Sequence, residues 1–229
     1  MMGFRPADLP RSAKEISAVI FDLDGTLIDS SEAIVECFEF ALRQTGHSPG
    51  DPQLIRRNIG TSLERMFSLF TNGDTTQLVR LYRERYGQVF LEKTYLLPGV
   101  KETLDALSER GYRLGVATTK PRYFAEPILQ NLGILRFFDA VAGGEEVTRL
   151  KPAPDLLQLA ISRLGAPSDE TFYVGDHPVD VEAARSAGLE VICVATGFWT
   201  RDELEKLNPT AVIENITELL PLLRDHRDD

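Results

Sequence analysis

The sequence predicts an α/β fold with a doubly wound, mostly parallel sheet of the Rossmann type. Short apolar runs without polar alternation recur along the chain, which is typical of strands covered on both faces in a parallel sheet. Segments with helical spacing separate most of these runs, and such alternation indicates right-handed crossovers between parallel strands. The apolar runs are residues 16–21, 112–118, 138–143, 171–175, 190–195 and 210–214. The helical segments are residues 99–110, 122–132, 154–164, 178–187 and 215–224.

Residues 30–96 break this alternation. They contain helix-like stretches that are separated by turn-forming sequences, and they contain no convincing strand. The stretches are residues 30–44, 51–58, 62–70 and 75–92. We therefore predict a core formed by residues 1–29 and 97–229, with a helical domain, residues 30–96, inserted after the first strand.

The composition is that of an ordinary globular protein, with 43% hydrophobic and 26% charged residues among 229. The 35 acidic and 25 basic residues give a net charge of −10, which argues against nucleic-acid and membrane partners. Cys37 and Cys193 are too few for a disulfide framework. Residues 1–15 do not resemble a secretion signal, and no apolar run approaches the roughly 20 residues that span a bilayer. We expect a cytoplasmic protein that is a monomer or a homodimer.

Polar residues follow four of the predicted strands. In chain order they are Asp22 and Asp24, then Thr118, Thr119 and Lys120, then Lys151, and finally Asp176 and Asp180. Ligands of open α/β sheets bind outside the carboxyl ends of the strands. We therefore expect carboxylates, hydroxyls and a lysine to meet at one edge of the sheet.

Several carboxylates at one site repel each other unless a cation offsets their charge. Mg²⁺ prefers oxygen ligands and commonly shares its sites with a substrate phosphate. Lys151 adds a fixed positive charge and Thr118 a hydroxyl donor, and together these groups can neutralise a phosphoryl group. The sequence thus predicts a Mg²⁺ site that binds a small phosphorylated metabolite.

Asp22 and Asp24 occupy alternate positions of an extended chain, so their side chains point to the same side. One carboxylate can attack phosphorus to form an aspartyl phosphate, while the other handles protons. Gly25 follows and permits a sharp turn whose amide groups can bind an anion. An ordinary Asp-Gly turn after a strand is the simpler alternative for Asp24 and Gly25 considered alone.

Four segments resemble the four motifs of the haloacid dehalogenase superfamily, in its phosphoglycolate phosphatase-like branch. They are DLDGTLIDS, VATTK, RLKPAPD and VGDHPVDVEAARSAG, and they occur in the family's order. The resemblance implies that Asp22 is the nucleophile. It also implies that Asp24 is the general acid and base, and that its backbone carbonyl binds Mg²⁺. Residues 30–96 match the position of the family's helical cap, which closes over the core and selects substrates.

The same resemblance implies roles for the other motif residues. Thr118 and Lys151 would hold the phosphoryl oxygens, with Gly25 and Thr119 also in the phosphate site. Asp176 would complete the metal site, and Asp180 would support it. Considered alone, Asp180 could equally complement the N-terminus of a helix.

Substrate selection is predicted to lie in the inserted helices. Arg56, Arg57 and Arg65 surround Gly60 and Thr61, where a loop could approach the core. Guanidinium groups pair with carboxylate or phosphate, so these arginines are candidates to bind a charged substrate tail. The alternative is that they form an exposed helix face.

The three histidines and the tryptophan are not assigned to the reaction. We interpret His177 as a residue at the rim of the site and Trp199 as a packing residue. We assign no specific function to His47 and His226. Thr119 stands where the family commonly has Asn, and His177 stands where it commonly has Ser or Thr.

The predicted function is a Mg²⁺-dependent phosphatase that acts on a small phosphomonoester, with phosphoglycolate the first candidate. Asp24 argues against a dehalogenase and a phosphonatase-like enzyme, which lack this aspartate. A β-phosphoglucomutase-like phosphomutase or a pyrophosphatase of the superfamily is the alternative. A phosphorylatable receiver domain is disfavoured because Lys151 precedes the last acidic pair, and an inactive binding protein is disfavoured because every motif residue is present.

Overall fold

The computed structural model describes residues 16–223. Within them, six parallel strands form one sheet in the order β5-β4-β1-β6-β7-β8. This confirms the predicted fold class, and each strand of the sheet falls inside one of the six apolar runs. The strands are β1 (Ala18–Phe21), β4 (Arg113–Ala117), β5 (Ala140–Ala142), β6 (Thr171–Gly175), β7 (Glu190–Val194) and β8 (Ala211–Ile213).

Two further strands form a short antiparallel pair where the chain leaves and re-enters the core. They are β2 (Ile28–Asp29) and β3 (Tyr95–Leu96), with Ile28 opposite Leu96. The expectation that residues 30–96 contain no strand was therefore wrong for the last two residues of that segment, which form β3. A strand of two residues is too short to give a period-two pattern, so the sequence carries no signal for it.

Four helices lie between β2 and β3, and we call them the cap helices. They are α1 (Ser31–Gln44), α2 (Pro52–Arg57), α3 (Leu63–Phe67) and α4 (Thr76–Val89). Each lies within one of the four predicted stretches. The helices that follow are α5 (Val100–Glu109), α6 (Arg122–Asn131), α7 (Asp155–Leu164), α8 (Pro178–Ala187) and α9 (Arg201–Glu205).

The predicted helix at residues 215–224 was wrong in type. The structure has a 3-10 helix at Ile216–Leu219 followed by turns up to residue 223. The side chain of Asn215 accepts a hydrogen bond from the amide of Thr217 and starts the helix. Pro221 then prevents an α-helix from continuing, because it lacks an amide proton and its ring collides with the preceding turn. The last predicted residue, and the tail with His226, lie outside the described residues.

The sheet is buried on both faces, as its uninterrupted apolar strands require. In β1, Val19 and Phe21 pack into a cluster with α5 and α6, while Ala18 and Ile20 pack into a second cluster with α7 and α8. All four side chains are fully buried. The cap helices form a third apolar cluster of their own, in which the rings of Phe38 and Phe67 stack with centroids 4.1 Å apart.

The order of strands determines which loops meet. The chain runs from β1 to β4 and β5 on one side of the sheet, then returns to β6 on the other side of β1. The carboxyl ends of β4, β1 and β6 are therefore neighbours at the point where the strand order reverses, which is where open α/β sheets bind ligands. No helix within residues 16–223 is long and apolar enough to cross a bilayer.

Candidate active site

The loop after β1 carries the first two carboxylates in a tight turn. The amide of Asp22 still donates to the carbonyl of Val174 in β6, at 2.8 Å, and the amide of Gly25 donates back to the carbonyl of Ile28, also at 2.8 Å. Gly25 has φ of +87°, a left-handed conformation that favours glycine. Asp22 and Asp24 are both buried, 2% and 7% exposed, at the carboxyl edge of the sheet.

Lys151 lies at the centre of the site. Its ammonium donates to Oδ1 of Asp22 at 2.6 Å, to Oδ1 of Asp180 at 2.9 Å and to the hydroxyl of Tyr173. Burial alone would lower the pKa of Lys151, but the two carboxylates outweigh it and the pKa lies above its ordinary value. The lysine is therefore charged at neutral pH although it is buried.

The sequence did not predict Tyr173 as a residue of the site, because it lies within an apolar strand. Its hydroxyl lies 3.1 Å from Oδ1 of Asp180 and 3.2 Å from the carbonyl oxygen of Ala117. The available signal was the hydroxyl itself, because a buried tyrosine in a strand usually finds a hydrogen-bond partner.

Three carboxylates, those of Asp22, Asp176 and Asp180, offer oxygen atoms that all lie within 4.8 Å of one another. Asp176 accepts a 3.0 Å hydrogen bond from the hydroxyl of Thr26. Burial raises the pKa of Asp22 to about 7 despite the opposing effect of Lys151. Burial and the charges of Asp180 and Asp22 raise the pKa of Asp176 well above its ordinary value.

Asp180 lies at the start of α8 and also belongs to the acidic cluster. Its Oδ2 accepts hydrogen bonds from the amides of Asp176 and His177, at 3.2 and 3.0 Å, at the N-terminus of α8. Its Oδ1 is held by Lys151. The helix start and the acidic cluster are thus joined by one side chain.

The residues present fit a Mg²⁺ ion. Three carboxylates carry a charge of −3 when ionised and Lys151 carries +1, so the buried group has a net charge of −2 and offers oxygen ligands. Two glycines clear the space beside Asp176, since a Cβ on Gly25 or Gly197 would overlap its carboxylate. The site is therefore shaped and charged for a hard divalent cation.

The carboxylate of Asp24 lies apart from this acidic cluster. Its Oδ1 accepts a hydrogen bond from Ser30 and lies 3.1 Å from the ammonium of Lys120. Lys120 also donates to the hydroxyl of Tyr86, on cap helix α4, at 2.7 Å. The sequence placed Lys120 after β4 but gave it no role, and it gave no signal that Tyr86 would reach it.

The two threonines after β4 lie as the strand order requires. Thr118 is 1% exposed, and its hydroxyl accepts a 3.1 Å hydrogen bond from the amide of Lys120. No acceptor for its own hydroxyl proton lies among residues 16–223, so this proton is available for a ligand. Thr119 lines the cavity described next, and its carbonyl packs against Gly144. The contacts of both threonines with phosphate stay predictions.

A cavity of about 150 Å³ lies between the cap helices and the core. Asp24, Lys120 and Thr119 line it from the core, and Gly60 and Thr61 line it from the cap. The structure thus brings both predicted loop residues of the cap close to the general acid of the predicted mechanism.

The three predicted arginines do not line this cavity. The guanidinium of Arg57 pairs with Glu203 of α9 and lies 4.0 Å from the ring centroid of Trp199. Arg65 is exposed, and Arg56 is half-buried. The arginine that does line the cavity is Arg83, on α4, which the sequence did not single out because periodicity does not say which face of α4 meets the core.

His177 and Trp199 join the core to the cap. Nε2 of His177 and Nε1 of Trp199 each lie 3.3 Å from the backbone carbonyl of Arg57. Nδ1 of His177 accepts from the amide of Val179, so the neutral ring donates through Nε2. Burial lowers the pKa of His177, which favours this neutral form.

Residues 19–194 match the family model described as haloacid dehalogenase-like hydrolase. The match spans the loop after β1, the loops after β4 and β5, and the start of α8. The chain therefore belongs to the haloacid dehalogenase-like hydrolase family and is a phosphatase of the phosphoglycolate phosphatase-like branch.

Individual relatives extend the likeness over most of the chain. A Dickeya dadantii protein named probable phosphatase IndB is 36% identical, over 88% of this chain and 91% of that protein. The phosphoglycolate phosphatase of Escherichia coli is 31% identical, over 92% and 93%. A haloacid dehalogenase-like family hydrolase of Streptococcus pneumoniae has a solved structure with a TM-score of 0.82 at 29% identity, over 90% and 97%.

We predict that Gly25→Ala lowers the free energy of unfolding more than Gly111→Ala does. Both glycines have nearly the same φ, +87° and +86°, so both changes cost about 1 to 2 kcal/mol of left-handed strain. Only at Gly25 does the new Cβ overlap Asp176, whereas nothing lies within 4 Å at Gly111. Urea unfolding should give Gly25→Ala an additional loss of about 1 to 3 kcal/mol. Equal losses would contradict the close packing of Gly25 on Asp176.

We also predict that Mg²⁺ stabilises the protein more at pH 8 than at pH 5. The folded-state pKa of Asp22, about 7, lies above its reference value of 3.8. The stability that its proton gives is therefore present in full below pH 3.8 and is lost as the pH rises through about 7. Mg²⁺ binds the ionised carboxylates and offsets this loss.

The measurement is the shift in Tm on adding Mg²⁺ at each pH, with Asp176→Asn as the variant that should lose the shift. A shift in the original protein that is as large at pH 5 as at pH 8 would argue against this site.

Proposed function

We propose that this phosphatase is Mg²⁺-dependent and hydrolyses a small phosphomonoester through an aspartyl phosphate on Asp22. The observation that carries the proposal is the 2.6 Å contact between the ammonium of Lys151 and Oδ1 of Asp22, beside two further buried carboxylates. The contact fixes one oxygen of Asp22. Among residues 16–223, no hydrogen-bond donor reaches the other oxygen, Oδ2, which is thus the candidate nucleophile.

In the first step of the proposed reaction, Oδ2 of Asp22 attacks phosphorus, and the bond from phosphorus to the leaving oxygen breaks. Asp24 donates a proton to that oxygen, so the product leaves as an alcohol. In the second step Asp24 takes a proton from water, the water oxygen attacks phosphorus, and the bond to Asp22 breaks. Inorganic phosphate leaves, and both carboxylates return to their starting state.

Mg²⁺ held by Asp22, Asp176 and the backbone carbonyl of Asp24, with Asp180 in support, would offset negative charge on the phosphoryl group. Thr118 can donate its free hydroxyl proton to a phosphoryl oxygen. The three donors of Lys151 are occupied by Asp22, Asp180 and Tyr173, so a direct contact with phosphate would require it to exchange one of them. Its charge acts at the site in either case.

The proposed substrate is a small anionic phosphomonoester, with phosphoglycolate the first candidate. The cavity of about 150 Å³ has space for a small leaving group, and its lining includes the cationic side chains of Lys120 and Arg83 beside the acidic Asp24, Glu64 and Glu145. The E. coli relative is named phosphoglycolate phosphatase. We further propose that residues 30–96 act as a cap domain on a core of residues 1–29 and 97–229, because the cap helices have an apolar cluster of their own.

A phosphate-release screen with Mg²⁺ tests the function, over phosphoglycolate, sugar phosphates, nucleotides and pyrophosphate. We predict the highest kcat/KM for a small anionic phosphomonoester and no detectable release from any substrate by Asp22→Asn, because an amide does not replace the nucleophile. Asp105→Asn is the matched control, since Asp105 is exposed on α5, and it should behave as the original protein does. Turnover by a folded Asp22→Asn variant at the original rate would refute the covalent mechanism, and preference for pyrophosphate would refute the substrate class.

A further inference from the structure

Lys120 is a buried cation that joins the core to the cap. Its side chain is 6% exposed, and within the described part of the chain it has two polar partners, Oδ1 of Asp24 at 3.1 Å and the hydroxyl of Tyr86 at 2.7 Å. Lys120 follows β4 in the core, whereas Tyr86 belongs to cap helix α4. A buried ammonium requires such partners, so the position of the lysine depends on the cap.

The partners of Asp24 are concentrated on one of its two oxygens. Ser30 and Lys120 both contact Oδ1, and no donor among residues 16–223 reaches Oδ2. Asp24 also lines the cavity between cap and core. Two contacts on one oxygen fix the plane of the carboxylate, which leaves Oδ2 as the oxygen that can exchange a proton with a ligand.

Tyr86 is itself held rigidly. Its ring stacks on Tyr82, with centroids 5.5 Å apart and planes at 11°, and it meets the ring of Phe124 edge to face at 5.1 Å. Tyr82 lies on the cap, whereas Phe124 lies on α6 of the core. The hydroxyl of Tyr86 therefore has a fixed position only where the two parts of the molecule are packed together.

We propose that Lys120 and Tyr86 are positioning residues for Asp24. The Tyr86 hydroxyl fixes the ammonium of Lys120, the ammonium fixes Oδ1 of Asp24, and Oδ2 is thereby aimed at the leaving oxygen when the cap is docked. This inference rests on the proposed function, in which Asp24 protonates the leaving group. In this proposal both residues affect the protonation of the leaving oxygen through Asp24, because Lys120 contacts Asp24 and Tyr86 contacts Lys120.

The test uses Tyr86→Phe, which removes one oxygen and keeps the aromatic packing. Kinetics are compared on an alkyl phosphate and on p-nitrophenyl phosphate, through kcat/KM, which reports steps up to departure of the leaving group. The alkoxide needs a proton as it leaves, whereas p-nitrophenolate does not. Since general acid catalysis contributes about 10² to 10⁴-fold, we expect partial misalignment to lower kcat/KM about tenfold for the alkyl phosphate and less than about twofold for the aryl phosphate.

Tyr82→Phe is the matched control. It removes the same hydroxyl group from the neighbouring ring on the same helix, and Tyr82 has no hydrogen bond to Lys120 among the described contacts. We expect the ratio of kcat/KM between the alkyl and aryl phosphates to remain that of the original protein.

A double-mutant cycle with Lys120→Met tests whether Tyr86 acts through Lys120. If Tyr86 acts through Lys120, adding Tyr86→Phe to Lys120→Met changes the alkyl-to-aryl ratio no further. Independent, multiplying effects would overturn the proposed relay, as would equal losses on both substrates in Tyr86→Phe, which indicate a structural role. An unchanged ratio in Tyr86→Phe would overturn it too. If the original protein released phosphate from neither substrate nor from any in the screen, the proposed function would fail, and this inference with it.

Discussion

The site depends on the ion pairs that the ammonium of Lys151 forms with Asp22 and Asp180. This ammonium lies among buried carboxylates that would otherwise repel each other, and it bonds to Asp22 and Asp180 with its side chain almost wholly excluded from water. Because Asp180 also accepts hydrogen bonds from the amides of Asp176 and His177, just before α8, one cation links the turn after β1 to the start of a helix after β6. It offsets only part of the negative charge, and the remainder matches a divalent cation.

The fold supplies what this arrangement requires. The strand order reverses at β1, so loops from β1, β4 and β6 meet at one edge although they are far apart in the chain. Gly25 and Gly197 let the backbone approach Asp176 closely, because a side chain at either position would overlap the Asp176 carboxylate. The cap helices have an apolar cluster of their own, so they form one wall of the cavity without contributing to the sheet.

The sequence predicted the six strands of the sheet and the residues that follow them, because buried parallel strands leave apolar runs without polar alternation and ligands bind where such runs end. It did not predict interactions that depend on how two packed elements face each other. Tyr86 and Lys120 are distant in the chain, and nothing local in either segment indicates their contact. For the same reason the sequence pointed to Arg56, Arg57 and Arg65, whereas the arginine that lines the cavity is Arg83. The two-residue strand β3 was missed because so short an element carries no periodicity. The α-helix predicted at residues 215–224 was wrong because Pro221 interrupts it.

The proposed function depends above all on a covalent bond between Asp22 and phosphorus. The most direct measurement is an acid quench during turnover with Mg²⁺ and the best substrate of the screen, followed by reduction with borodeuteride and peptide mass spectrometry. An aspartyl phosphate is reduced to deuterated homoserine, and we expect this modification at position 22. Unmodified Asp22 in samples that are releasing phosphate, with trapping shown to work on a known acyl phosphate, would contradict it.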